Sequence, residues 1–89
     1  MTTNNTYNGW TNYATWRMNL EMFDGAIASD FDYNPESEYA LLELCEELEY
    51  HVDVVLSEEE GSDLVHDFAK AFVSDVNWAE IARSLIEAE

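Results

Sequence analysis

Carboxylates are the groups in this chain whose number and spacing could do chemistry. Its 89 residues hold 20 Asp and Glu against 3 Lys and Arg, a net charge of −17. Between positions 18 and 69 there are sixteen acids and no Lys or Arg. A carboxylate pair can act as acid and base only where the two environments differ, and the sequence singles out no such pair. Asp30, Asp32 and Asn34 imitate the opening of a calcium loop, D-x-D-x-N. The sixth position then holds Pro35 where Gly is needed, and the twelfth Leu41 where a bidentate Glu is needed. His51 and His66 have no partner at metal-ligand spacing. Cys45 is the only cysteine, so no intrachain disulfide can form; its neighbours Leu41, Leu44 and Leu48 suggest a buried thiol. The chain has no phosphate loop, CxxC, HExxH or nucleophile elbow. The expectation is a protein that is not an enzyme and needs no cofactor or metal.

What remains is electrostatic. A body this acidic repels itself, so salt, cations or a basic partner must offset the charge. Direct nucleic-acid binding is disfavoured because phosphates are held by Lys and Arg. Anionic membranes are disfavoured for the same reason. No apolar run approaches membrane-spanning length and the start lacks a signal-peptide core, which points to a cytoplasmic location. The apolar share is 47%, with three Trp, five Tyr and four Phe. That is too much for a disordered acidic tail and enough for one small core, so residues 1–89 read as a single domain.

The elements that must carry these charges read as helices. Residues 1–8 are polar and expected to be loosely held, with Tyr7 and Trp10 able to fold back onto the body. Asn8-Gly9 signals a turn, and Thr11 or Asn12 can cap a helix over 12–23. Tyr13, Trp16, Leu20 and Phe23 would form its aromatic core face, and Gly25 its end. A connector follows. Asn34 and Pro35 suit the start of a helix over 35–56, with Glu36 and Glu38 near its positive end. Leu41, Cys45, Leu48, Val52 and Val55 make its apolar seam, widened by Leu42, Leu44 and Leu56. Gly61 breaks the pattern. A third helix over 63–74 presents Leu64, Val65, Phe68, Ala69 and Phe72. A fourth over 77–88 opens on Asn77 with Glu80 in capping-box position and presents Trp78, Ile81, Ala82, Leu85 and Ile86. Short connections between four such helices predict an all-α compact bundle.

Two blocks carry a resemblance. Residues 8–16, NGWTNYATW, and 75–87, DVNWAEIARSLIE, resemble a family of small acidic proteins borne by bacteriophages, plasmids and related mobile elements. Its members open N-G-[WY]-T-N-Y-x-T-W and end V-N-W-x-E-I-A. The acidic middle is similar to the family in character and not by motif. The resemblance implies a mobile-element origin and brings no catalytic residues with it.

Charge and origin together lead to one expectation: a DNA mimic of the anti-CRISPR or antirestriction kind. Duplex DNA carries one charge per about 1.7 Å of axis, and proteins that hold it present Lys- and Arg-lined grooves. An acidic helix could occupy such a groove in a CRISPR effector complex or restriction enzyme of the host. The residues expected to meet this basic DNA-binding partner are Glu36, Glu43, Glu46, Glu47, Glu49, Asp53, Glu58, Glu59, Glu60 and Asp63. Tyr39 and Tyr50 would be aromatic anchors. The alternative is a small interaction module that grips a partner through an apolar or aromatic surface, acting sterically or allosterically, with acidity serving solubility or salt adaptation. Either could be a monomer or a homodimer.

Overall fold

Two helix starts meet side by side and define the architecture. In the computed structural model, which describes residues 7–58 and 63–89, helix α1 (Tyr13–Met18) opens on Asn12, whose side chain accepts from the Thr15 N–H at 2.9 Å. Helix α4 (Trp78–Glu87) opens on Asn77, whose side chain accepts from the Glu80 N–H at 3.2 Å. Both caps satisfy backbone donors that a helix start leaves exposed. The two helix starts are then bonded to each other. Thr15 Oγ1 donates to Asn12 Oδ1 at 2.7 Å and accepts from the Asn77 N–H at 2.9 Å. Asn12 Nδ2 donates to the Asp75 carbonyl at 2.8 Å, and Asn77 Nδ2 to Thr11 Oγ1 at 3.1 Å. The expected capping box at Asn77 is only half made. Glu80 Oε1 takes the Thr11 N–H at 2.8 Å, leaving the Asn77 N–H to Thr15.

Ahead of this junction, Asn8 (φ 48°) and Gly9 (φ 88°) form a tight turn closed by Tyr7–Trp10 backbone bonds of 2.7 and 2.8 Å. Positive φ at both central positions is the geometry that Asn-Gly favours. The turn lays Tyr7 against Tyr13 and Trp16, with ring centroids 5.2 and 5.0 Å away. This fold-back matches the sequence expectation for Tyr7; residues 1–6 lie outside the described residues.

The first helix continues beyond α1 as a π-helical segment, Asn19–Phe23. The expected core face holds at Phe23 and is corrected at the other three positions. Tyr13 and Leu20 are exposed, Trp16 is half-buried, and the buried residues are Ala14, Thr15, Met18 and Phe23. From Ala14 the apolar burial steps by four and then five. The step of five crosses the π segment, whose i→i+5 hydrogen bonds admit one more residue to the turn than an α-helix does. Gly25, at φ 84°, then turns the chain away.

A second correction concerns the start of the long helix. Helix α2 spans Ala40–Glu58, not 35–56. Asn34 Oδ1 accepts from the Glu36 N–H at 3.0 Å, and the Asn34 carbonyl accepts from the Ser37 N–H at 3.1 Å. Pro35 therefore occupies the second position of a β-turn, the other site its fixed φ suits. Glu36 and Glu38 precede the helix and do not lie in its first turn.

The centre of the α2 seam is Leu44, Leu48 and Val52; Leu41, Cys45, Val55 and Leu56 flank it half-buried. Leu42, expected to widen the seam, is 58% exposed. Against α2 lies α4, which buries Trp78, Ile81, Ala82 and Leu85 and leaves Ile86 exposed. Ala28, fully buried in a short 3-10 turn (Ala28–Asp30), fits beneath α4. Helix α3 (Asp63–Ser74) packs more loosely than the others. It contributes half-buried Ala69, Phe72 and Val73, while Leu64, Val65 and Phe68 face outward, contrary to the expected core face. The result is an all-α bundle of four helices, with no strand among the described residues.

Leu48→Ala should destabilise the fold by about 3 kcal/mol and Leu42→Ala by less than about 0.5. Thr15→Val should cost about 1–2 kcal/mol, because it removes the acceptor of the part-buried Asn77 N–H. Urea unfolding midpoints at constant slope measure all three; equal losses at Leu42 and Leu48 would overturn the assigned face.

Candidate functional site

Helix α2 carries six carboxylates and no Lys or Arg in 19 residues. The helical repeat sorts them. Glu46, Glu49 and Asp53, spaced three and four apart, form one exposed ridge on adjacent turns. Exposed Leu42 and Tyr50 border it, and Tyr39 and Tyr50 are 61% and 65% exposed. Glu58 extends the acidic surface at the end of the helix. Glutamates and aspartates four apart on such a helix repel by a few tenths of a kcal/mol. The apolar seam on the opposite side holds them in place.

The other expected contact residues are placed differently. Glu43 and Glu47 are half-buried. Glu43 Oε1 already accepts from the Asn34 N–H at 3.1 Å, clamping the turn to the helix. Glu36 is exposed in that turn, off the helix axis. Glu59 and Glu60 lie outside the described residues, as does the side chain of Asp63, the first residue of α3.

Basic residues reach this surface from neighbouring helices, which no search along α2 alone could show. Lys70 of α3 lines a cleft together with Glu49 and Asp53. Arg83 of α4 lies close enough to Cys45 to favour its thiolate. That influence is outweighed. Partial burial, followed by the Glu49 carboxylate, pushes the Cys45 thiol above its ordinary range. The thiol is half-buried and not fully enclosed. Arg17 is committed elsewhere: it donates to the Tyr13 hydroxyl at 3.1 Å and pairs with Glu21 at 3.2 Å.

The chelating pattern at 30–34 is spent on backbone. Asp30 Oδ2 accepts from the Ile27 N–H at 3.0 Å and Asn34 Oδ1 from the Glu36 N–H. Among the described residues, no three His, Cys, Asp or Glu side chains assemble a metal site. His51 packs against Phe31 and Phe23, with ring centroids 6.0 and 6.2 Å away.

The sequence reading allowed for an apolar interaction surface without placing it. An apolar groove of about 210 Å³ runs over Val52, Val55 and Leu56 of α2. Met18 and Met22 wall one side; Ala69, Phe72 and Val73 of α3 wall the other. The outward Leu64, Val65 and Phe68 continue its α3 wall, at 64%, 56% and 68% exposure. The signal was present in the sequence. The apolar arc of α3 runs from Leu64 through Phe68, Phe72 and Ala69 to Val73, wider than one neighbouring helix can cover.

Residues 3–89 match a family described as a family of unknown function (DUF7249), and the chain belongs to that family. No curated protein and no solved structure matches the chain.

Alkylation of Cys45 by iodoacetamide should be slower than that of an exposed thiol near neutral pH and should accelerate only at higher pH, because the thiolate is the nucleophile. Glu49→Gln should move the pH midpoint of alkylation downward; an unchanged midpoint would remove Glu49 from the cause.

Proposed function

We propose that the protein is a DNA-mimic inhibitor of a host defence system, a CRISPR effector complex or a restriction enzyme. It would be borne by a mobile element and act in the cytoplasm of the host. The observation that supports this reading most is the Glu46–Glu49–Asp53 ridge, on a helix whose own residues supply no counter-charge. At 1.5 Å rise per residue, successive ridge carboxylates stand about 4.5 and 6 Å apart along the axis. Phosphates along one DNA strand are spaced by about 3.4 Å of axis. The ridge is therefore a sparser line of charge with the same sign and repeat scale. Docked in a Lys- and Arg-lined groove, it would release counterions from both surfaces and exclude DNA competitively. The opposed fields would also speed encounter. Tyr39 and Tyr50 stand exposed beside the acids, where a ring can stack on an arginine of the groove. No helix among the described residues is long and apolar enough to cross a membrane.

A second reading rests on a different observation. The outward Leu64, Val65 and Phe68 of α3 suit a module that grips its partner through apolar surface.

Combined reversal of Glu46, Glu49 and Asp53 to Lys should weaken inhibition of the target's DNA binding by about a hundredfold or more, and Tyr50→Ala by about tenfold. The wild-type interaction should weaken steeply between about 50 and 200 mM salt. Competition assays with labelled duplex and purified effector complex or restriction enzyme make the measurement. Inhibition that survives triple reversal, or that ignores salt, would reject mimicry by α2.

A further inference from the structure

We infer that the groove between α1 with its π segment and α3 is a helix-docking site, and that its occupant is a cationic amphipathic helix of a partner protein. This deepens the apolar-interface reading and is independent of mimicry by the α2 ridge.

The shape comes first. The groove floor is Val52, Val55 and Leu56, and its walls are helical on both sides. A helix laid there would complete the packing around α3, which the bundle otherwise holds loosely. Leu64, Phe68 and Phe72 recur every four residues, so they form one row along α3 leading out of the groove. Phe72 lines the groove, while Phe68 and Leu64 stand largely in solvent. A small ligand in a groove of about 210 Å³ would leave that row uncovered. A helix presenting apolar residues at i, i+3/i+4 and i+7 would cover both. Met18 and Met22 supply a wall that can repack around different side chains.

Charge selects among helical occupants. A second copy would bring another −17 to this surface. Asp67 is exposed beside Phe68 and Glu58 at the end of α2, while Glu21, which lines the groove, is paired with Arg17. Two cations lie near the groove: Arg17 is held by Glu21 and the Tyr13 hydroxyl, and Lys70 lines the adjoining cleft with Glu49 and Asp53. Lys or Arg flanking the apolar face of an incoming helix would meet Asp67 and Glu58, where a neutral or acidic helix would not.

The test uses three synthetic peptides of about four helical turns. One is an amphipathic Leu–Lys helix, the second the same apolar pattern with Gln replacing Lys, and the third a scrambled Leu–Lys sequence. Calorimetry at about 0.15 M salt gives affinity, and amide chemical shifts of the labelled full-length protein locate the site. The Leu–Lys helix should bind tightest, shift amides of α1, the π segment and α3, and lose about tenfold in affinity with Leu64→Ser plus Phe68→Ser. Both side chains are largely exposed, so the variant should keep its fold, as circular dichroism can verify. Equal binding of the scrambled peptide, mapped to the α2 ridge, would overturn the groove assignment. Equal binding of the Leu–Gln helix in the groove would leave an apolar interface but overturn the cationic partner. Binding unaffected by the double variant, with no shifts at α3, would reject both. A wild-type dimer converted to a monomer by that variant would make a second copy the occupant and overturn the inference.

Discussion

The fold depends on a junction of two helix starts. Thr15, fully buried, stands between Asn12 and Asn77, giving its proton to one and taking the backbone N–H of the other. A helix start leaves unsatisfied N–H groups and a positive end; placing two such ends together would ordinarily be unfavourable. Here the side-chain oxygens of Asn12, Asn77, Thr15 and Glu80 lie between them and accept. Glu80 adds a carboxylate at that point. No buried polar side-chain atom among the described residues lacks a partner. The junction ties residues 11–15 to 75–80, so the segment between them, with most of the acid, is anchored at both ends.

That arrangement explains how so acidic a chain folds. Repulsion among the carboxylates is spread over the outer surface, while the opposing terms are concentrated. They are the Leu44–Leu48–Val52 seam against Trp78, Ile81, Ala82 and Leu85, and the polar junction beside it. Residues 8–16 and 75–87 contain the residues of this junction. Their side chains serve scaffold, and the acidic middle is left free to vary its surface charge without touching the core.

The helices were legible in the sequence because their signals are local. Asn12 and Asn77 cap as their side-chain chemistry requires, Asn8-Gly9 turns, and the bounds of α3 and α4 follow the apolar period. What could not be read was local structure with two admissible solutions. Asn34-Pro35 suits a helix start or a β-turn equally, and the bond from Glu43 back to the Asn34 N–H accompanies the turn. On the first helix Phe23 is buried as expected, but in the ordinary α-helical part the smaller Ala14 and Thr15, with Met18, take the core and leave Tyr13 exposed and Trp16 half-buried; the π segment at residues 19–23 follows them. The carboxylate ridge was visible as a pattern. Its separation into exposed Glu46, Glu49 and Asp53 and half-buried Glu43 and Glu47 needed the neighbouring helices, as did the approach of Lys70 and Arg83.

The loose seating of α3 divides the molecule into units of unequal persistence. Elements that bury little apolar surface open at lower free energy than the body that carries them. Amide protons of α3 should therefore exchange through local excursions, while those at the centre of α2 and in α4 wait for global unfolding. The chain would then behave as a durable three-helix frame carrying one labile helix. Whatever binds along that helix would register first as slowed exchange there, before any change in the frame.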